Sequence, residues 1–136
     1  MIVDSSAILA VLFGEPDAAM YEELIAASHC RLSSANALES AIVAENRGGS
    51  GSGELFDAFL SASAIEIIPV TIEHFSAARI AWRRFGKGRH IAGLNFGDCF
   101  AYALSTTSGE PLLFKGHDFM RTDIQPAMVM PGPTDA

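Results

Sequence analysis

The sequence lacks the features that would place this protein in a membrane or outside the cell. It has only two cysteines, Cys30 and Cys99, far apart in the chain, which favours reduced thiols over the alternative of a disulfide. No apolar run approaches the roughly 20 residues that cross a bilayer. Asp4 interrupts the first apolar residues and no basic segment precedes them, so no signal peptide is predicted. We therefore expect a cytoplasmic protein with no membrane contact.

The motifs of several enzyme classes are also missing. No Gly-x-Gly-x-x-Gly follows the first strand, and no Lys-Ser or Lys-Thr follows the glycine-rich run at 48–53, which excludes a dinucleotide site and a phosphate-binding loop. The chain has no Cys-x-x-Cys spacing, which would indicate a zinc site, and no close Ser/His/Asp or Cys/His set, which would indicate covalent catalysis. Asp4 stands alone, with Ser6 two residues later, so the paired acids of haloacid-dehalogenase-like phosphatases and response-regulator receivers are absent.

What is present predicts one α/β domain over residues 1–136. The chain is 49% hydrophobic and 18% charged, as expected for a globular protein. Short apolar runs that predict strands alternate with helical patterns, which is typical of a central parallel sheet with helices on both faces. The Gly/Ser run at 48–53 predicts a flexible connector. The predicted strands are 1–3, 31–33, 65–70 and 112–114, with a further apolar run at 127–130, and the predicted helices are 7–12, 16–28, 34–47, 54–64, 71–85 and 96–107.

Four acidic residues lie at the ends of these elements: Asp4, Glu39, Asp98 and Asp118. Asp4 directly follows the first buried strand, and the carboxyl ends of parallel strands border the crevice in which such folds bind ligands. Four carboxylates in one crevice would repel each other unless a cation neutralised them. Mg²⁺ and Mn²⁺ prefer oxygen ligands, so the sequence predicts a divalent metal site.

Each acid also has a structural explanation that the sequence leaves open. Asp4 can cap the helix that follows it. Asn36 with Glu39, and Asn95 with Asp98, have the three-residue spacing of a capping box. A carboxylate in the first turn of a helix is also stabilised by the helix dipole, without any function.

The charge pattern bears on nucleic-acid binding. The net charge of −7 disfavours a phosphate-rich partner, but acids that bind a metal ion are neutralised by it. Positive charge is concentrated between residues 79 and 90. The sequence leaves two interpretations open, a surface for nucleic-acid phosphates and a solvated helix face. This basic cluster consists of Arg79, Arg83, Arg84, Lys87, Arg89 and His90.

Four motifs in order resemble those of PIN-domain proteins, and most of all the VapC toxins of bacterial type II toxin–antitoxin systems. They are Met1-Ile2-Val3-Asp4-Ser5-Ser6, Ser34-Ala35-Asn36-Ala37-Leu38-Glu39, Leu94-Asn95-Phe96-Gly97-Asp98-Cys99, and Pro111-Leu112-Leu113-Phe114-Lys115-Gly116-His117-Asp118-Phe119. The resemblance covers essentially the whole chain. It implies a parallel sheet between two layers of helices, and acids that bind Mg²⁺ or Mn²⁺ for endoribonuclease activity.

The resemblance also implies roles for individual residues and partners. Asp4, Glu39 and Asp98 match three acidic positions that hold the metal and serve catalysis, and Ser6 matches a hydroxyl that supports the first of them. His117 stands where the family often has another acid, so the fourth position is Asp118, or else Asp123. We expect RNA cleavage by a metal-activated water, a VapB-like antitoxin and a homodimer. The alternative is a non-catalytic PIN-like module that binds RNA or a protein.

Overall fold

The structure, a computed structural model, describes residues 1–127. The predicted apolar run at 127–130 therefore lies outside the described residues, apart from Ala127. The elements follow the predicted order, with two helices after each of the first three strands. The strands are β1 (Ile2–Val3), β2 (Arg31–Ser33), β3 (Glu66–Ile68) and β4 (Leu112–Leu113), and the helices are α1 (Ser5–Leu12), α2 (Ala18–Ala26), α3 (Ser34–Gly48), α4 (Ser52–Ser63), α5 (Ile72–Phe85) and α6 (Phe96–Ser108), followed by a 3-10 turn at Phe119–Arg121.

The four strands form one parallel sheet in the order β3-β2-β1-β4. Neighbouring residues of a strand point to opposite faces, so Ile2 and Leu112 belong to one core cluster, and Val3 and Leu113 to the other. Helices α5 and α6 cover the first face, and α1 to α4 cover the second. The predicted α/β fold, with a parallel sheet between two helical layers, is confirmed.

The elements differ from their predicted bounds where local chemistry ends them. Strand β3 stops at Ile68, because Pro69 has no amide hydrogen to donate to the next strand. The connector within the Gly/Ser run is shorter than predicted, since α3 continues through Gly48 and α4 begins at Ser52. Gly49 and Gly51 make the turn between them with φ of 77° and 86°, a region that favours glycine.

Both cysteines are free, and they lie in different core clusters: Cys30 packs below one face of the sheet and Cys99 below the other. The interpretation of reduced thiols agrees with this placement. Within residues 1–127, no helix combines the length and hydropathy needed to cross a membrane.

The topology gathers three predicted site residues at one edge of the sheet. Strands β1 and β2 are parallel neighbours, so Asp4, after β1, lies beside the start of α3, which follows β2 directly. Helix α6 packs against α3. Its first turn, which carries Asp98, is therefore brought to the same edge.

Candidate metal centre

Asp4 is buried at the end of β1, with only 4% of its surface exposed. It is the N-cap of α1, as the structural explanation predicted. Its Oδ2 accepts hydrogen bonds from the Ser6 backbone N–H at 3.0 Å and from Ser6 Oγ at 2.6 Å, which agrees with the supporting role expected of Ser6. Its Oδ1 is buried and has no hydrogen-bond partner among the described residues. Capping therefore explains only one of the two carboxylate oxygens.

Glu39 lies in α3, and its carboxylate is held by two donors on the same oxygen. Ser5 Oγ donates to Glu39 Oε1 at 2.6 Å, and Asn36 Nδ2 donates to that atom at 3.2 Å. The predicted capping box of Asn36 and Glu39 is wrong, because Ser33 is the N-cap of α3 and Asn36 lies inside the helix. Glu39 thus has no capping role and faces the site.

Asp98 lies in the first turn of α6 and forms the capping box that its spacing with Asn95 predicts. The Asn95 side chain accepts from the Asp98 backbone N–H at 2.9 Å, and Asp98 Oδ2 accepts from the Asn95 backbone N–H at 3.0 Å. Asp98 Oδ1 accepts no hydrogen bond within residues 1–127. This capping box orients the side chain and leaves one oxygen free.

Burial, with a smaller contribution from neighbouring acids, raises the pKa of two of these carboxyl groups. Burial raises the pKa of Asp4 to about 6, and the charge of Glu39 adds to that rise, although the Ser6 hydrogen bonds oppose it. Burial also raises the pKa of Asp98 to about 7, with further contributions from the charges of Asp4, Asp118 and Glu39. Carboxyl groups whose charged form is this unfavourable are typical of a functional site.

The donor set fits a hard divalent cation. Asp4, Glu39 and Asp98 each bind the protein through one oxygen and leave the other without a hydrogen bond in the described residues. Carboxylate oxygens are the ligands that Mg²⁺ and Mn²⁺ prefer. Over residues 1–127, no three acidic, histidine or cysteine side chains are close enough together to hold a metal ion as they stand, so the carboxylates would have to move closer together to bind one.

The two candidates for the fourth acid occupy different surroundings. Asp118 is exposed after β4, and its charge contributes to the raised pKa of Asp98. Asp123 instead accepts a hydrogen bond from Tyr102 at 2.6 Å and forms an ion pair with Arg84 at 3.2 Å. The hydrogen bond from Tyr102 is the main reason that the pKa of Asp123 is lowered. Asp118 therefore lies with the other acids, whereas both Asp123 oxygens already have protein partners.

Other residues of the site carry no motif of their own. Ser5 and Asn36 hold Glu39, and Gly97 lies against its carboxylate: a Cβ at Gly97 would be 2.0 Å from Glu39 Oε2. A glycine in the first turn of a helix, where it is a poor helix former, is the one sequence signal that could have indicated this contact. Cys99, beside Asp98, is buried in the core, where burial raises the pKa of its thiol to about 11, and Mg²⁺ and Mn²⁺ prefer oxygen to sulfur ligands.

The basic cluster is divided between internal contacts and solvent. Arg84 pairs with Asp123, and the guanidinium of Arg89 lies 4.0 Å from the centre of the Trp82 ring. Arg79, Arg83 and Lys87 make no ion pair within residues 1–127. Arg79 and Lys87 border a cavity of about 480 Å³ that also contacts Asn95, in the turn before Asp98. Arg79 and Lys87 therefore share this cavity with the turn that precedes Asp98.

Comparison with known proteins gives a consistent result. A family model described as PIN domain matches residues 1–125. Ribonuclease VapC30 from Mycobacterium tuberculosis is 50% identical over 125 residues, covering 91% of this chain and 95% of that protein. Ribonuclease VapC from Mycolicibacterium smegmatis is 48% identical over 125 residues, covering 91% and 97%.

A solved structure shares the fold at low sequence identity. The crystal structure of Mycobacterium tuberculosis VapC20, described as a sarcin-ricin loop cleaving toxin, superposes with a TM-score of 0.74. It is 16% identical, and the match covers 90% of this chain and 95% of that one. At this identity, the likeness supports the fold alone.

Proposed function

The chain belongs to the PIN-domain family and, within it, is a relative of the VapC ribonucleases; we propose that it is a metal-dependent endoribonuclease and the toxin of a toxin–antitoxin module. One observation carries the catalytic part of this proposal. Three carboxylates from three separate segments lie at one edge of the sheet, each with one oxygen fixed by the protein and one oxygen free.

In the proposed enzyme, Asp4, Glu39 and Asp98 hold Mg²⁺ or Mn²⁺, and Asp118 is the fourth acid. The buried Oδ1 of Asp4, which has no protein partner among the described residues, supports this assignment, since a buried carboxylate oxygen is costly to leave unpaired. A bound divalent cation would activate a water for attack on a phosphodiester and would neutralise charge on the phosphate. Ser6, Ser5 and Asn95 orient the three carboxylates through the hydrogen bonds described above. We expect products with 5′-phosphate and 3′-hydroxyl ends.

The proposed substrate is RNA. A chain with net charge −7 binds a polyanion only where its acids are neutralised and its basic residues are concentrated. Arg79 and Lys87 would supply the basic part of such a surface, because they make no ion pair within residues 1–127 and border the cavity beside Asn95. The alternative, a non-catalytic module that binds RNA or a protein, is disfavoured because nothing in such a role requires several acids with unpaired oxygens.

We further propose two protein partners, a VapB-like antitoxin and a second copy of the chain, acting in the cytoplasm. An active ribonuclease would harm the cell that makes it, so inhibition by a partner follows from the activity. Exposed apolar side chains on α3 and α4 provide a surface for the antitoxin: Leu38, Ile42 and Leu55.

The toxin proposal is tested by growth. The gene is expressed alone, as the Asp98→Asn variant, or together with the adjacent small gene. We expect growth arrest with the wild type only, and relief when the adjacent product is present and co-purifies. A wild type that is harmless when well expressed, or an Asp98→Asn variant that is equally toxic, would contradict the proposal.

A further inference from the structure

We propose that Asn36 is a positioning residue that fixes Glu39 relative to the turn carrying Asp98, and that Gly97 provides the surface on which the Glu39 carboxylate rests. The inference rests on the proposed function, since it concerns how the same acids are prepared for a divalent cation. It assigns these two residues a role that capping, helix propensity and core packing do not explain.

The contacts of Asn36 connect two acid-bearing elements. Its Nδ2 donates to Glu39 Oε1 at 3.2 Å, on its own helix, and to the Gly97 carbonyl at 2.9 Å, in the first turn of α6. Gly97 directly precedes Asp98 in the sequence. One side-chain amide therefore sets the spacing between an acid of α3 and an acid of α6.

The surroundings of Asn36 indicate that it is not there for stability. The residue is completely buried, and its Oδ1 has no hydrogen-bond partner among the described residues. A buried acceptor without a partner is destabilising, whereas an apolar side chain of similar size leaves no polar atom unpaired. Both amide hydrogens, in contrast, are used at the site. Asn36 therefore serves its two hydrogen bonds, to Glu39 and to the Gly97 carbonyl, and not the packing of the core.

Gly97 lies against the other oxygen of the Glu39 carboxylate. A Cβ at this position would lie 2.0 Å from Glu39 Oε2 and 2.5 Å from its carboxyl carbon. Ser5 and Asn36 both hold Oε1, so Oε2 cannot move away from Gly97 without loss of those bonds. Any side chain at residue 97 would displace the carboxylate.

The test measures the affinity of the purified protein for Mn²⁺, by electron paramagnetic resonance of the free ion, together with the thermal unfolding midpoint. We expect Asn36→Leu and Gly97→Ala each to weaken Mn²⁺ binding about tenfold or more, the effect usual for residues that orient metal ligands. Their unfolding midpoints without metal should stay at or above the wild-type value. Ser40→Ala is the matched control, because Ser40 is equally buried on α3 and donates to the Asn36 carbonyl at 2.8 Å, but makes no hydrogen bond to the Glu39 carboxylate; the Mn²⁺ affinity of this variant should be unchanged.

A double-mutant cycle shows whether the effect passes through Glu39. In a Glu39→Gln background, Asn36→Leu and Gly97→Ala should cause little further loss of Mn²⁺ affinity. Wild-type affinity in both folded single variants, or full additivity with Glu39→Gln, would overturn the positioning role and leave the metal centre intact. A wild type that does not bind Mn²⁺ at all would overturn the metal centre itself, and the positioning role with it. Since Gly97→Ala adds only a methyl group to a helix, it keeps the test decisive if Asn36→Leu does not fold.

Discussion

Replacing Asp4 by asparagine should stabilise the protein in the absence of divalent cations. Burial, with a smaller contribution from the charge of Glu39, raises the pKa of Asp4 from its ordinary value of 3.8 to about 6. The charged form is therefore less favourable in the folded protein than in the unfolded chain by about 3 kcal/mol. Asparagine carries no charge and so avoids that cost, which already includes the favourable hydrogen bonds from Ser6 to the charged carboxylate. The gain expected at pH 8 is therefore up to about 3 kcal/mol.

The sign of the effect depends on pH in a defined way. Well below its ordinary pKa of 3.8, Asp4 is protonated in both states and its charge costs nothing. As the pH rises from about 4 to about 6, the unfolded chain releases the proton that the folded protein retains, so wild-type stability falls. The variant should therefore exceed the wild type in stability at pH 8 and match it near pH 4.

Urea unfolding at pH 8 and at pH 4, with EDTA present, measures this difference. Addition of excess Mn²⁺ should then stabilise the wild type much more than Asp4→Asn, because a ligand stabilises only the state that binds it. Asp98→Asn is expected to behave alike, since the pKa of Asp98 is also raised, to about 7. An Asp4→Asn variant that is less stable than the wild type at pH 8 in EDTA would refute the reasoning.

Three further predictions concern other parts of the molecule. Asp118→Asn should weaken Mn²⁺ binding about tenfold, whereas Asp123→Asn should leave it unchanged and only lower stability; the reverse order in a titration would make Asp123 the fourth acid. Arg83→Ala/Lys87→Ala should weaken RNA binding across sequences and reduce the slope of log affinity against log salt by about 1.5, and an unchanged slope would assign this segment to a solvated face. Glu110→Gln should lower the free energy of unfolding by about 1 kcal/mol at pH 7, because the N-terminal amine and Arg31 lower the pKa of Glu110 against the effect of burial. This difference between variant and wild type should vanish as the pH falls through the lowered pKa, and a difference that does not change with pH would contradict the role of the Glu110 charge.

The parts of the site that could be predicted from sequence are those fixed by local chemistry. Asp4 is recognisable because β-branched residues followed by an acid and two hydroxyls indicate a strand that leads directly into a helix. Asp98 is recognisable because Asn95 stands three residues before it, and the structure contains that capping box. Both features depend on residues within three positions of the acid.

The parts that could not be predicted depend on contacts distant in sequence. Asn36 and Glu39 have the same spacing as Asn95 and Asp98, yet Ser33 caps α3 instead. The difference arises because Asn36 is buried against the carbonyl of Gly97, 61 residues away, and spacing along one helix contains no information about a second helix. The division of roles between Asp118 and Asp123 was left open for the same reason, since the contact of Asp123 with Tyr102 is made only in the folded chain.

The central claim is that this acidic cluster cleaves RNA with a divalent cation. The most direct measurement is cleavage of a panel of structured RNAs by the purified protein in Mg²⁺, in Mn²⁺ and in EDTA, with Asp98→Asn assayed alongside under each condition. The account predicts cleavage by the wild type in either metal, with 5′-phosphate ends on the products, and no cleavage in EDTA or by the variant. Undiminished cleavage in EDTA, or by a folded Asp98→Asn variant, would contradict it.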